Sequence, residues 1–239
     1  MILRDEGETF LLITQPDHAR VAEQLVAAVR TEPALESDRA AILMAAREHD
    51  NGWSDVDAEP SVEPGTGRPR DFISGPAPLK FEIWLRGITR GAKMNPRVGA
   101  LIAEHALTVY GYRRGTPEWE PFFKSITAMR DDLLEQIGAS TGPPRELFER
   151  QYRCVHLGDS LSLQFCSGWS GPNTTLEYRA TLQNRSLVIS PDPFDGGTLA
   201  FRVLARRIPA RRYRDDGDLN GALAAAIPMV VEGKARGVW

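Results

Sequence analysis

Residues 37–53 constrain the fold of this chain more than any other stretch. An apolar stripe at helical spacing, Ala41, Ile42, Ala45 and Ala46, runs into Arg47-Glu48-His49-Asp50 and stops at Asn51-Gly52-Trp53. Asparagine and glycine tolerate a left-handed backbone just past a helix, so Asn51-Gly52 reads as the stop signal. The spacing predicts a helix over residues 37–50 with His49 and Asp50 in its last turn. Adjacent residues on a helix point about 100° apart. These two side chains therefore grip one ion only where it lies between their directions, and a helix end leaves room for that. An imidazole beside a carboxylate is a mixed nitrogen and oxygen pair suited to a divalent transition metal.

The rest of the chain divides by texture. Ile2 to Arg4 and Thr9 to Ile13 read as two short strands around a turn at Asp5-Glu6-Gly7. Thr14-Gln15-Pro16-Asp17 opens a helix that runs to about Arg30, with Val21, Leu25, Ala28 and Val29 inward and His18 in its first turn. Asn51 to Pro78 is rich in Gly, Pro and acids. It reads as a long loop, either covering a site or forming a solvated excursion. Phe81 to Arg90 and Asn95 to Tyr110 read as helices. In the second, Val98, Leu101, Ile102, His105 and Val109 share a face, which turns His105 inward. Thr116-Pro117-Glu118 opens a helix to about Ile137. Pro143 to Phe165 forms another, carrying Asp159 in an otherwise apolar or small stretch, where an acid needs a partner. After Trp169, β-forming runs take over at Thr174 to Leu182, Ser186 to Ile189 and Leu199 to Leu204. Asp218 to Val231 reads as a helix that Pro228 kinks or ends.

Bulk properties narrow the function classes. With 239 residues and a net charge of -3, the chain can bury a substantial core and gives no reason to expect nucleic acid or an anionic membrane as partner. No apolar run reaches the length of a spanning helix, and Met1 to Gly7 lacks the layout of a signal peptide. The expected location is cytoplasmic. Cys154 and Cys166 are too few for a disulfide framework and read as buried small hydrophobes. Gly65-Thr66-Gly67 and Gly196-Gly197 lie in the wrong context for a phosphate loop. Cys166-Ser167-Gly168-Trp169-Ser170-Gly171 lacks the buried strand that precedes a nucleophile elbow. Arg206, Arg207, Arg211, Arg212 and Arg214 read as a charged strand edge rather than a nucleic-acid surface.

The chain has four histidines, His18, His49, His105 and His156. The order His18, His49-Asp50, Asp159 resembles that of the HD superfamily of metal-dependent phosphohydrolases. His49-Asp50-Asn51-Gly52 is similar to the His-Asp-x-Gly that often ends that family's second core helix. Asp159-Ser160-Leu161-Ser162 resembles its late-helix aspartate. More closely, Thr14-Gln15-Pro16-Asp17-His18, His49-Asp50-Asn51-Gly52-Trp53 and Asp159-Ser160-Leu161-Ser162-Leu163 resemble a bacterial family known only as a domain of unknown function, over nearly the whole chain. The resemblances imply a mostly α fold. An HD-like helical metal-binding bundle would occupy residues 1–168 with a short N-terminal β-hairpin, and a small strand-rich α+β extension would pack on it over residues 169–239.

The HD resemblance also implies His18, His49, Asp50 and Asp159 as ligands of a divalent metal ion (Mn, Fe, Ni, Zn or Mg), with His105 matching the extra histidines that some branches use for a second metal. His156, one turn before Asp159, reads as a core or surface histidine. An ion so held lowers the pKa of a bound water and polarises a phosphoryl oxygen. The expected substrate is a small phosphate ester, with a nucleotide one example. Asp50, Glu48 and Arg47 are the candidate catalytic residues; Arg20, Lys93 and Arg97 are further candidate cations for the phosphate oxygens. Asp55 and Asp57 would orient a ligand histidine or simply solvate the loop. Trp53 reads as a packing anchor beside the site. Two alternatives stay open: a non-catalytic metal- or ligand-binding protein of the same shape, and metal-dependent oxygenase-like chemistry. Self-association is compatible with either.

Overall fold

Strand β1 (Ile2–Asp5) turns into β2 (Thr9–Ile13), and helix α1 (Gln15–Ala28) follows directly. The computed structural model describes residues 1–239. Thr14 caps α1 by accepting the Asp17 N–H at 3.1 Å, and Pro16 sits in the first turn, where its missing N–H costs nothing. A 3₁₀ turn (Pro33–Asp38) leads into α2 (Arg39–Glu48), which starts two residues later than the stripe predicts. The expected loop 51–78 is partly ordered into a 3₁₀ turn (Asn51–Trp53), helix α3 (Ser54–Ala58) and a bridge between Val62 and Pro69. Backbone bonds tie it down, Phe72 N–H to the Met1 carbonyl at 3.0 Å and Tyr213 N–H to the Gly67 carbonyl at 2.7 Å. Four longer helices follow: α4 (Ala77–Met94), α5 (Pro96–Val109), α6 (Glu120–Gln136) and α7 (Gly142–Ser167).

The C-terminal third supplies β3 (Asn173–Thr175), β4 (Tyr178–Gln183), β5 (Ser186–Ser190), β6 (Thr198–Pro209), helix α8 (Asp216–Ala225) and β7 (Pro228–Gly237). These strands do not form a separate appendage sheet. They join β1 and β2 in one seven-stranded sheet of order β1-β2-β6-β7-β5-β4-β3. Its pairs are antiparallel except β5 with β7, and the sheet curls into a half-barrel. This corrects the expected architecture of a helical bundle with an isolated N-terminal hairpin and a small C-terminal extension. About half the chain is helical (54%), and both ends build one sheet. The physical reason is edge satisfaction. A two-stranded hairpin leaves ladder groups unpaired, and β2 pairs its free edge with β6, Thr9 opposite Pro209 and Phe10 opposite Ile208. The helix expected over Asp218–Val231 ends at Ala225, and Pro228 begins β7 instead. Burial along β7 alternates from Val230 to Arg236, the period of a strand.

Two apolar cores flank the centre of the molecule. Val21 and Leu25 of α1 and Leu157, Leu161 and Phe165 of α7 pack on Leu11, Ile13, Leu187, Ile189, Phe201 and Val203 of the sheet. Ala45, Ala46, Ile88, Leu101, Ile102, Ile126 and Phe148 form the core among the helices. Helices α1 and α7 touch closely because residue 158 is glycine: a Cβ there would lie 2.5 Å from Val26 Cγ2 and 3.0 Å from the Ala22 carbonyl oxygen. This approach sets α1 against α7 within one residue of Asp159. No helix is long and apolar enough to cross a membrane.

Candidate metal centre

Four side chains from three helices converge between the two cores. His18 projects from the first turn of α1, Asp159 from the middle of α7, and His49 and Asp50 from the turn that ends α2. All four are buried. His18 Nε2 lies 3.1 Å from His49 Nε2 and 3.1 Å from Asp50 Oδ2. Asp159 Oδ1 lies 3.2 Å from His49 Nε2 and 3.5 Å from His18 Nε2, and His49 Nε2 lies 3.5 Å from Asp50 Oδ2. One ligand atom from each residue falls within 4.8 Å of all the others.

The turn that carries His49 and Asp50 departs from the expected stop. Asn51 and Gly52 are not left-handed; they continue as a 3₁₀ turn in which the Trp53 N–H donates to the Asp50 carbonyl at 3.0 Å. Glycine is required at 52 for a different reason. A Cβ there would sit 2.1 Å from the Ile83 carbonyl oxygen, so the turn packs directly on the backbone of α4. Arg90 of α4 donates to the Asn51 carbonyl at 3.1 Å and fastens the same turn.

The outward nitrogens fix the tautomers. His49 Nδ1 is 2.8 Å from the Ala46 carbonyl oxygen, which only accepts, so Nδ1 carries the proton and donates. Ser162 Oγ donates to the Asp159 carbonyl at 3.0 Å, which leaves its oxygen to accept from His18 Nδ1 at 3.0 Å. In both neutral rings Nε2 is then a bare lone pair. Two such lone pairs and two carboxylate oxygens face one point with no donor among them, an arrangement that needs a cation. A cation about 2.1 Å from each donor separates its ligands by roughly 3.0 Å at right angles and 3.4 Å at tetrahedral angles. The observed 3.1–3.5 Å spacings fit. In the protein alone, a proton takes that role. Burial opposes charging His49, and the Asp50 and Asp159 carboxylates outweigh it, raising its pKa well above the ordinary value. Burial likewise raises both acids, and the histidines outweigh it, holding Asp159 at about 2 and Asp50 far below the usual carboxylate range.

A second group adjoins the first. His105 Nε2 lies 3.5 Å from Asp159 Oδ2, the oxygen that faces away from His18 and His49. His156 completes a set with His105 and Asp159 whose ligand atoms fall within 4.8 Å of one another. His156 Nε2 meets Thr175 Oγ1 at 3.2 Å, and its Nδ1 is buried without a partner. Burial holds His105 down at about 4, with Asp159 pulling the other way.

The centre opens on a cavity of about 160 Å³ walled by Trp53, Phe72, Trp84, Tyr110 and Tyr112, with His18, Asp50, His105 and Asp159 at its inner end. Trp53 is both a buried anchor and a wall of this cavity. A larger cavity of about 680 Å³ lies between α8 and the sheet, is lined by Leu12, Leu204 and Leu223 among others, and contains no histidine. The buried histidine and aspartate cluster therefore opens on the smaller one.

The other sequence candidates lie elsewhere. Arg47 pairs with Glu48 at 3.0 Å, Arg20 with Asp17 at 2.5 Å, and Arg97 with Asp38 at 3.3 Å; Lys93 is exposed on α4. None of these lines the cavity. Asp55 pairs with Arg86 and Arg90, and Asp57 accepts the Gln15 N–H and the Met1 ammonium, so neither orients a ligand histidine. The outer nitrogens of His18 and His49 meet Ser162 and the Ala46 carbonyl instead. Sequence reasoning also missed Lys80 and Gln15. Lys80 is the one cationic side chain that lines the cavity. Its only signal was a position just after the Gly- and Pro-rich stretch. In the sequence Gln15 reads only as part of the helix start; it lines the cavity, and its carboxamide Oε1 is buried without a partner.

No curated protein and no solved structure matches the chain. A family model described as protein of unknown function (DUF3891) matches residues 1–210, from the first strand through β6 and so through every side chain of the centre. The chain belongs to the DUF3891 family.

Proposed function

We propose that this protein is a metal-dependent hydrolase of the HD type that acts on a phosphate ester. The observation that carries the reading is the convergence of two bare imidazole nitrogens and two carboxylate oxygens at the inner end of a cavity. The order of those ligands along the chain, His18, His49-Asp50, Asp159, supports the HD type by resemblance.

His18, His49, Asp50 and Asp159 would hold one divalent ion. When bound, such an ion acidifies a water and polarises a phosphoryl oxygen. The remaining work falls to the chain itself. Ser162 and the Ala46 carbonyl hold the two rings in the tautomer that presents Nε2 inward. His105, neutral near pH 7, borders the centre without adding charge. Lys80 offers its ammonium to an anionic oxygen of the substrate. The aromatic walls keep bulk water from the reacting groups.

Elemental analysis of tag-free protein tests the first step, comparing wild type with His49→Ala and Asp50→Ala. About one equivalent of divalent metal, lost in both folded variants, is expected. A phosphate-ester screen under that metal tests the second. A protein that takes up no manganese, iron, nickel, zinc or magnesium on reconstitution is not a hydrolase of this kind. Metal binding without turnover of any ester would leave a ligand-binding role.

A further inference from the structure

The cavity wall restricts the substrate more than the centre does. Four features set the limits. First, its volume is about 160 Å³, roughly half the ~300 Å³ at which pockets for drug-sized ligands begin. Second, its walls are mainly aromatic: Trp53, Phe72, Trp84, Tyr110 and Tyr112. Tyr112 and the neighbouring Ile73 extend that surface to the rim, where both are largely exposed (71% and 59%). Third, it has one cationic side chain. Lys80 spends a single N–H on the Ile73 carbonyl at 2.8 Å, forms no salt bridge, and so keeps two donors for a ligand. Fourth, Gln15 is 2% exposed, and its side-chain oxygen has no partner in the protein. That oxygen has essentially no accessible surface, so it lies behind the wall and meets a ligand only if the side chain turns.

Charge completes the case, given the functional reading on which this inference rests. A divalent ion neutralises Asp50 and Asp159, both rings are neutral, and Lys80 leaves one net positive charge. A single monoester phosphoryl group, at about -1.5 to -2 near pH 7, already exceeds that one positive charge. A di- or triphosphate would bring several further negative charges into a cavity whose lining holds no other lysine or arginine, the guanidinium of Arg113 lying over the rim residue Tyr112 instead. We infer that the substrate is a compact phosphate monoester with a single phosphoryl group on an aromatic or apolar body of about one ring, rather than a nucleotide. Its phosphoryl group lies between the metal centre and Lys80, and its body lies against the tryptophans and tyrosines.

The test uses full-length protein loaded with the metal it takes up, titrated with non-hydrolysable probes. Binding is read by calorimetry and by quenching of tryptophan fluorescence, since Trp53 and Trp84 both line the cavity. Phenylphosphonate is expected to bind about tenfold or more tightly than methylphosphonate, the difference coming from the aromatic wall. The phosphonate analogue of AMP is expected to bind no better than methylphosphonate. Lys80→Met should weaken phenylphosphonate about tenfold with metal content unchanged, and Lys80→Arg should restore part of the loss. Tighter binding of the AMP analogue, or equal affinity for phenyl- and methylphosphonate, overturns the substrate class while leaving the metal-dependent reading intact. Failure to load any metal overturns both.

Discussion

His18 and His49 point their Nε2 atoms at each other across 3.1 Å, and each anchors its Nδ1 on a protein oxygen. Two neutral imidazoles so held repel unless something positive lies between or beside them. The fold therefore maintains, on two different helices, a contact that is unfavourable without a cation.

Ser162→Ala removes the acceptor for His18 Nδ1 while changing little volume at a fully buried position. Outer partners of this type contribute about 10–100-fold to metal affinity. The variant is expected to fold and to release metal to a chelator at about that much lower chelator concentration. Unchanged affinity would show that packing alone orients the ring.

Gly52→Ala places a methyl group 2.1 Å from the Ile83 carbonyl oxygen. Backbone cannot yield as a flexible side chain does, so the turn must move. Overpacking of this kind costs ~1–3 kcal/mol or more. A lower melting temperature and weaker metal binding should appear together, because His49 and Asp50 ride on the same turn.

His105 sets a pH dependence in chelator-treated protein. Its folded pKa is depressed to about 4 from an ordinary 6.5, chiefly by burial. Between those values the unfolded chain takes up a proton that the folded protein refuses. The His105 contribution is therefore complete above pH 6.5 and is lost as pH falls toward 4. His49, whose pKa is raised by Asp50 and Asp159, contributes stability that is lost as pH rises above 6.5, so the His105 part is read from the difference between wild type and variant. Melting temperature measured against pH should show this slope in wild type and lose part of it in a folded His105→Asn variant. An identical slope in both would assign the titration to other groups.

Asp55 bonds to both Arg86 and Arg90, which in turn reach the carbonyls of Gly52 and Asn51. All three side chains are substantially exposed, and solvent screens such pairs strongly. Asp55→Ala is expected to leave the melting temperature and metal content nearly unchanged. A large loss of metal would mean that this surface network, rather than Gly52 packing, holds the His49 turn.

Local pattern in the sequence determined which residues face inward and where most helices begin and end. The periodicity that turns His105 into the core, the proline and threonine that start α1, and the apolar stripe that ends at His49-Asp50 are all readable within about two helical turns. Facing inward does not name a partner. Only the tertiary structure decided that β2 pairs with β6 nearly two hundred residues away, that both ends of the chain share one sheet, and that residues 228–237 form its β7 strand rather than the end of a helix. It also decided that Lys80 and Gln15, rather than Arg47 and Glu48, face the cavity. Hydrogen-bond ladders and close backbone approaches are non-local. A strand's partner, or the carbonyl that forbids a Cβ at residue 52, leaves no periodic trace in the segment that meets it.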